Sequence, residues 1–170
     1  MDFKEVIRTI PDFPEKGILF RDITTVLQNP QTLNASVDAI CDSLKGEEFD
    51  VIVGPESRGF IFGVPVAYKL NKGFIPIRKA GKLPGEVISK SYSLEYGQAT
   101  IEMHKDAIKK GQKVVIVDDL LATGGTCKAM CELIEEAGGI VSVISFFIEL
   151  DDLGGREVLK GYNIKSIVNY

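Results

Sequence analysis

Val114-Val115-Ile116-Val117-Asp118-Asp119-Leu120-Leu121-Ala122-Thr123-Gly124-Gly125-Thr126 is the stretch that decides the fold. Its four leading residues are all apolar and β-branched, which predicts a parallel strand buried on both faces. After Thr126 the residues Met130, Leu133, Ile134 and Ala137 recur at helical spacing and predict one amphipathic helix. Gly138-Gly139 ends it with residues suited to a left-handed cap. Residues 140–148 form a second apolar run, so 113–148 predicts a strand–helix–strand unit with its strands parallel.

The turn inside that unit suits a sugar phosphate. It falls at the carboxyl end of a strand, where open α/β sheets bind ligands. Gly124 and Gly125 permit a sharp turn and close approach of the backbone. Free N–H groups at the helix start, with Ala122 small beside them and the hydroxyls of Thr123 and Thr126, would hold a phosphate dianion. Asp118 and Asp119 would repel that phosphate, so they need donors such as vicinal ribose hydroxyls, or a metal. Neighbours in an extended strand face opposite ways, so the chain is expected to be leaving the strand at Asp119. The plainer alternative is a tight turn whose acids cap the helix. No G-x-x-x-x-G-K-[ST] or G-x-G-x-x-G sequence occurs.

Composition agrees with a small enzyme. At 170 residues a single domain over 1–170 is expected, burying roughly 70% of its unfolded surface. A net charge of −4 argues against a general nucleic-acid or anionic-membrane binder. No apolar run approaches the roughly 20 residues that span a bilayer, and Met1-Asp2-Phe3-Lys4-Glu5 lacks a signal-peptide pattern. Cys41, Cys127 and Cys131 read as reduced packing residues, without a zinc-type cluster. The expected location is the cytoplasm.

Outside the central unit, Phe3, Val6, Ile7 and Ile10 suggest a short helix, 11–18 a loop, and 19–23 an extended piece. Pro30 opens a helix through Leu44, 50–54 is a strand, and 59–70 a helix that Pro65 should kink or delay. Residues 74–78 form the next strand, and 86–104 a long hairpin turning near Tyr96-Gly97. A helix around 151–160 and a strand at 164–168 finish the chain. The alternation predicts an α/β fold with a mostly parallel sheet flanked by helices.

A second turn, Val51-Ile52-Val53-Gly54-Pro55-Glu56-Ser57-Arg58-Gly59, also leaves a buried strand for a helix. Arg58 suits bidentate contact with phosphate oxygens. Arg78, Lys79 and Lys82 place three cations beside Gly81 and Pro84-Gly85, either to meet a polyanion or simply as a solvated basic turn. His104, the only histidine, ends a strand and reads as a surface imidazole.

The stretch from Val114 to Thr126 resembles the 5-phosphoribosyl-1-pyrophosphate (PRPP) motif of type I phosphoribosyltransferases. That resemblance implies that Asp118 and Asp119 hold the ribose hydroxyls and that Ala122, Thr123, Gly124, Gly125 and Thr126 wrap the 5-phosphate. The second turn resembles the family's pyrophosphate loop, which implies a site of Glu56, Ser57, Arg58, Arg78, Lys79 and Lys82 and a cis Glu56–Ser57 peptide. Three further segments, Pro11-Asp12-Phe13-Pro14-Glu15-Lys16-Gly17-Ile18-Leu19-Phe20-Arg21-Asp22-Ile23, Arg78-Lys79-Ala80-Gly81-Lys82-Leu83-Pro84-Gly85 and Ser91-Tyr92-Ser93-Leu94-Glu95-Tyr96-Gly97, resemble adenine phosphoribosyltransferases in particular. They imply an N-terminal hood (about 1–28) that reads adenine through the main chain at Leu19 and Arg21, with Phe20 beside them. They also imply a flexible hairpin (about 80–104) over the site, with Glu95 near the reacting base. One carbonyl and one N–H match the 6-amino group and N1 of adenine, whereas a 6-oxo purine reverses both.

The implied reaction converts adenine and PRPP to AMP and pyrophosphate. Arg58, Asp118, Asp119 and Glu95 are the implied catalytic groups, and Mg²⁺ is held mainly through PRPP rather than by direct protein ligands. A homodimer is also implied. The alternatives are the same fold acting on hypoxanthine-guanine, xanthine or orotate, and a PRPP-sensing regulator without catalysis. The latter would need a nucleic-acid-binding surface that the acidic balance does not offer.

Overall fold

In the computed structural model every residue except Glu95 is described. The chain divides into two compact units, Met1–Ala39 and Ile40–Tyr170.

In the first unit, helix α1 (Phe3–Val6) is capped by Asp2, whose carboxylate accepts the Lys4 N–H at 2.9 Å. Ile10 falls not in this helix but in strand β1 (Arg8–Pro11), which pairs antiparallel with β2 (Leu19–Asp22). Asp22 is the unit's electrostatic anchor. It accepts from the Thr24 N–H at 2.9 Å and ion-pairs with Arg8, and these contacts hold its carboxyl below the ordinary range. A one-turn helix α2 (Thr24–Leu27) was not predicted, and α3 (Pro30–Ser43) opens on Pro30 as expected.

The second unit is a seven-stranded sheet. Its strands are β3 (Val51–Pro55), β4 (Gly73–Lys79), β5 (Val87–Ser93), β6 (Gln98–His104), β7 (Lys113–Leu121), β8 (Ile140–Glu149) and β9 (Ile164–Asn169), in the order β5-β6-β4-β3-β7-β8-β9. Strands β4, β3, β7, β8 and β9 are mutually parallel, and the β5–β6 hairpin joins antiparallel at the β4 edge. The hairpin turns where expected, with Leu94 N–H donating to the Gly97 carbonyl at 2.9 Å.

Helices cover both faces. From α5 (Gly125–Glu136), the buried Met130, Leu133 and Ile134 pack in one cluster with Val51, Val53, Val114, Ile116 and Phe146. From α4 (Arg58–Lys69), Phe62 meets Phe147, ring centres 4.9 Å apart. Adjacent strand residues point to opposite faces, so Phe146 and Phe147 place the two helices on opposite sides of the sheet. Truncating Leu133, which has no solvent exposure, to alanine would cost about 2–5 kcal/mol.

Further expectations are corrected. Strand β7 does not end at Asp119; it stays paired with β8 through Leu120 and Leu121, whose buried neighbours continue the ladder. Of the kink or late start expected from Pro65, the late start does not occur: helix α4 starts at Arg58 and carries Pro65 within it. The expected helix at 151–160 is two short pieces, a 3-10 turn (Asp151–Leu153) and α6 (Gly155–Val158). They are separated by Gly154 at φ +68°, a backbone conformation that ends a helix. No described helix is long and apolar enough to cross a membrane. Cys41, Cys127 and Cys131 are free thiols and buried, as packing residues should be.

Candidate active site

The carboxyl ends of β3 and β7 and the turns that follow enclose a cleft of about 380 Å³. Ten of the residues singled out from sequence line it: Glu56, Ser57, Arg58, Asp118, Asp119, Ala122, Thr123, Gly124, Gly125 and Thr126. Phe146, from the neighbouring strand, closes one wall and was not anticipated.

The turn after β7 presents main chain. Gly124 caps α5 at φ +86°, a conformation that favours glycine, and the first intrahelical bond runs from the Lys128 N–H to the Gly124 carbonyl at 2.9 Å. The N–H groups of Gly125, Thr126 and Cys127 precede that bond, so they are the donors a helix start offers to an anion. The loop is braced from behind by α6. A Cβ on Gly155 would come within 2.5 Å of the Ala122 carbonyl oxygen, and one on Gly124 within 2.9 Å of the Gly155 oxygen. In turn α6 is tied to β8 by Arg156, which grips the buried Glu149 with two hydrogen bonds of 2.6 and 2.7 Å. Burial pushes the Glu149 carboxyl up, but the hydrogen bonds from Arg156, with Ser166 and Asn169, outweigh it and hold it below its usual value. No short local pattern announced this brace, because its partners meet only in three dimensions.

The two aspartates share the cleft although β7 continues past them. Asp118 folds its carboxylate back to accept the Asp119 N–H at 2.8 Å. Asp119 is buried, with Oδ2 2.9 Å from Arg58 Nε, an electrostatic contact without an aligned hydrogen bond. Burial, and then the charge of Asp119, push the Asp118 carboxyl well above the ordinary range. Burial also raises Asp119, and Arg58 opposes that shift.

The turn after β3 is closed by side chains. Glu56 accepts from Arg78 Nε at 3.2 Å and from the Lys79 N–H at 2.8 Å, so its carboxylate ties the turn to the end of β4. The Glu56–Ser57 peptide is cis. Arg78 reaches the cleft's edge only through Glu56; Lys79 and Lys82 are exposed and are not among the lining residues. Leu19, Phe20 and Arg21 lie on β2 of the first unit, where Phe20 meets Phe13 edge-on at 5.1 Å and Arg21 Nη1 donates to Thr9 Oγ1 at 2.6 Å. Glu95 lies outside the described residues. His104 Nε2 lies 2.9 Å from the Pro84 carbonyl at the hairpin base, away from the cleft lining.

The profile of the phosphoribosyl transferase domain matches residues 22–167. An adenine phosphoribosyltransferase of Lachnoclostridium phytofermentans is 63% identical over 167 residues, covering 98% of this chain and 96% of the relative. The chain belongs to the adenine phosphoribosyltransferase family. Another member of the family, from Acetivibrio thermocellus, is 60% identical and matched across 100% of both chains. The crystal structure of adenine phosphoribosyltransferase from Thermoanaerobacter pseudethanolicus superposes with a TM-score of 0.97 at 53% identity, covering 99% of this chain and 98% of that one. The Giardia lamblia enzyme, solved with 9-deazaadenine, superposes with a TM-score of 0.92 at 41% identity, covering 99% and 96%. The mostly parallel sheet flanked by helices is therefore the phosphoribosyltransferase fold that the sequence led us to expect.

Proposed function

We propose that this chain is a purine-salvage glycosyltransferase that transfers the 5-phosphoribosyl group of PRPP to adenine. The observation that carries the reading is the single cleft in which a carboxylate pair, a helix-start phosphate loop and the Ser57–Arg58 turn converge. Relatives of 56–63% identity named adenine phosphoribosyltransferase support the choice of base.

In this reading residues 122–126 hold the 5-phosphate through main-chain N–H groups and the hydroxyls of Thr123 and Thr126. Asp118 and Asp119 accept from the ribose hydroxyls and offset positive charge on the ring. Ser57 and Arg58 bind the pyrophosphate, Glu56 aims Arg78 toward it, and Lys79 and Lys82 add positive charge nearby. The C1–O bond breaks with its electron pair leaving on pyrophosphate, where Arg58 stabilises the charge. N9 of adenine then bonds to C1 of the oxocarbenium-like ribosyl centre. The N9 proton is lost, with Glu95 as the assigned acceptor. Main-chain groups of Leu19 and Arg21, with Phe20 beside them, are assigned to adenine.

Among the described residues no cluster of three metal-ligating side chains occurs. Asp119 Oδ2 is a buried oxygen without an aligned donor, and Asp118 lies beside it. One or two carboxylates with substrate phosphates are how Mg²⁺ is usually held, so this pair fits a Mg²⁺ ion carried in mainly by PRPP. When bound, Mg²⁺ supplies charge neutralisation at the leaving pyrophosphate. We further assign the chain a single catalytic domain over 1–170, a homodimeric assembly and a cytoplasmic location.

The test is product formation with PRPP and Mg²⁺ against adenine, hypoxanthine, guanine, xanthine, uracil and orotate. AMP from adenine in strong preference is expected. Preferential turnover of another base would remove the base assignment, and PRPP binding without turnover of any base would favour a regulator.

A further inference from the structure

The hairpin is fastened to the helix that begins at the phosphate loop. Strand β5 packs on α5. Lys90 Nζ reaches Glu132 at 3.3 Å and Glu136 at 2.5 Å, two acids one helical turn apart. These exposed pairs add little stability. Two residues on, and so on the same face of the strand, the half-buried Tyr92 ring packs against the core cluster. Its hydroxyl lies 3.0 Å from Thr126 Oγ1. Tyr92 therefore joins the strand that leads to Glu95 with a hydroxyl that lines the cleft.

Donor counting gives this contact a direction. A hydroxyl has one proton to donate and two lone pairs to accept with. Without a ligand either oxygen can be the donor in the Tyr92–Thr126 bond. A phosphate dianion has only acceptors, so Thr126 must give it that one proton. Thr126 can then only accept from Tyr92, and the chain runs Tyr92 O–H to Thr126 Oγ1–H to phosphate oxygen. Such chains polarise one another, and each bond strengthens the next.

We propose that Tyr92 is a positioning residue that orients the Thr126 hydroxyl toward the 5-phosphate and, in return, tightens β5 when phosphate binds. This rests on residues 122–126 being the 5-phosphate loop. Tyr92→Phe keeps the ring and its packing but removes the donor, so Thr126 loses its fixed rotor while the fold is kept.

The test is a calorimetric titration of ribose 5-phosphate and, separately, pyrophosphate with Mg²⁺ into wild type, Tyr92→Phe, Thr126→Val and the double variant. Tyr92→Phe should weaken ribose 5-phosphate roughly 3–10-fold, the size of one hydroxyl hydrogen bond, and leave pyrophosphate unchanged. In the Thr126→Val background the same substitution should have no further effect, which a merely structural role would not produce. Ribose 5-phosphate should also slow amide exchange across residues 88–93 in wild type and not in Tyr92→Phe. Equal ribose 5-phosphate affinity in wild type and Tyr92→Phe, with Thr126→Val impaired, would overturn the role of Tyr92 alone. Failure of Thr126→Val to weaken ribose 5-phosphate at all would overturn this inference and leave the main-chain loop standing. Ribose 5-phosphate that leaves amide exchange across residues 123–127 of the wild type unchanged would overturn the phosphate-loop reading, and this inference with it.

Discussion

Two turns at the same edge of the sheet each place a glycine in the first turn of a helix, and the two glycines are required for different reasons. At Gly59 a Cβ would stand 2.5 Å from the Pro55 ring and 2.9 Å from Asp118 Oδ1, so protein atoms already fill that space. At Gly125 nothing lies within 4 Å of the same position. The 55–59 turn is held shut by Glu56 with Arg78 and Arg58 with Asp119. The 121–126 turn leaves main-chain donors at the cleft and takes its support from α6 behind it. A charged side-chain site depends on ionisation and can be retuned by a neighbour. A main-chain site depends first on how closely a ligand can approach, which the shape of the loop sets, while neighbouring hydroxyls such as that of Thr126 can only adjust it.

The largest effect should come from the carboxylates that border both turns. Asp118→Asn with Asp119→Asn should cost roughly a thousand-fold or more in kcat/KM, measured in steady state with PRPP and adenine. Stability should move the other way. The folded Asp118 carboxyl is raised above its unfolded value by burial and by Asp119, so folding favours the protonated form. Its contribution is fully present below the unfolded value and is lost as pH rises through the folded one. Thermal melts of the ligand-free protein should therefore show Tm falling with pH above the ordinary carboxylate range, and Asp118→Asn should flatten that slope. An unchanged slope would mean that Asp118 is not forced to ionise in a buried setting.

The glycines give the next contrast. Gly59→Ala should destabilise by about 1–3 kcal/mol through overpacking, which in a chain of this size lowers Tm by roughly 2–4 °C per kcal/mol. Gly125→Ala should leave Tm unchanged while raising KM for PRPP about 10-fold, because the methyl group enters the space that close phosphate approach requires. If Gly125→Ala melted early with normal KM, the contrast between a packed glycine and a ligand-facing one would be broken.

These differences also explain what could be read in advance. The β7–α5 unit was legible because its signals are local: a β-branched run, glycines at the turn, and apolar residues at helical spacing through Leu133 and Ile134. The hairpin turn beside Gly97 was legible for the same reason. What stayed hidden was set by partners distant in sequence. Strand β7 continues past Asp119 because β8 supplies matching partners, Ile148 and Glu149, for Leu120 and Leu121. Glu56 was expected in the pyrophosphate site, but the sequence held no sign that its carboxylate is committed to Arg78 and the Lys79 N–H across 22 and 23 residues. The contact between Tyr92 and Thr126 spans 34 residues, and the Arg156–Glu149 brace depends on a strand and a helix meeting in space. Gly154 and Gly155 were visible as letters, but only the structure shows one ending a turn and the other pressed against the Ala122 carbonyl.

A crystal structure of this chain with PRPP and Mg²⁺ tests the division of labour between the two turns most directly. The expected result has the 5-phosphate within hydrogen-bond reach of the N–H groups in 123–126, the ribose hydroxyls on Asp118 and Asp119, and the pyrophosphate on Ser57 and Arg58. PRPP bound in the reverse direction, with pyrophosphate in the 122–126 loop, or bound outside this cleft, would contradict it.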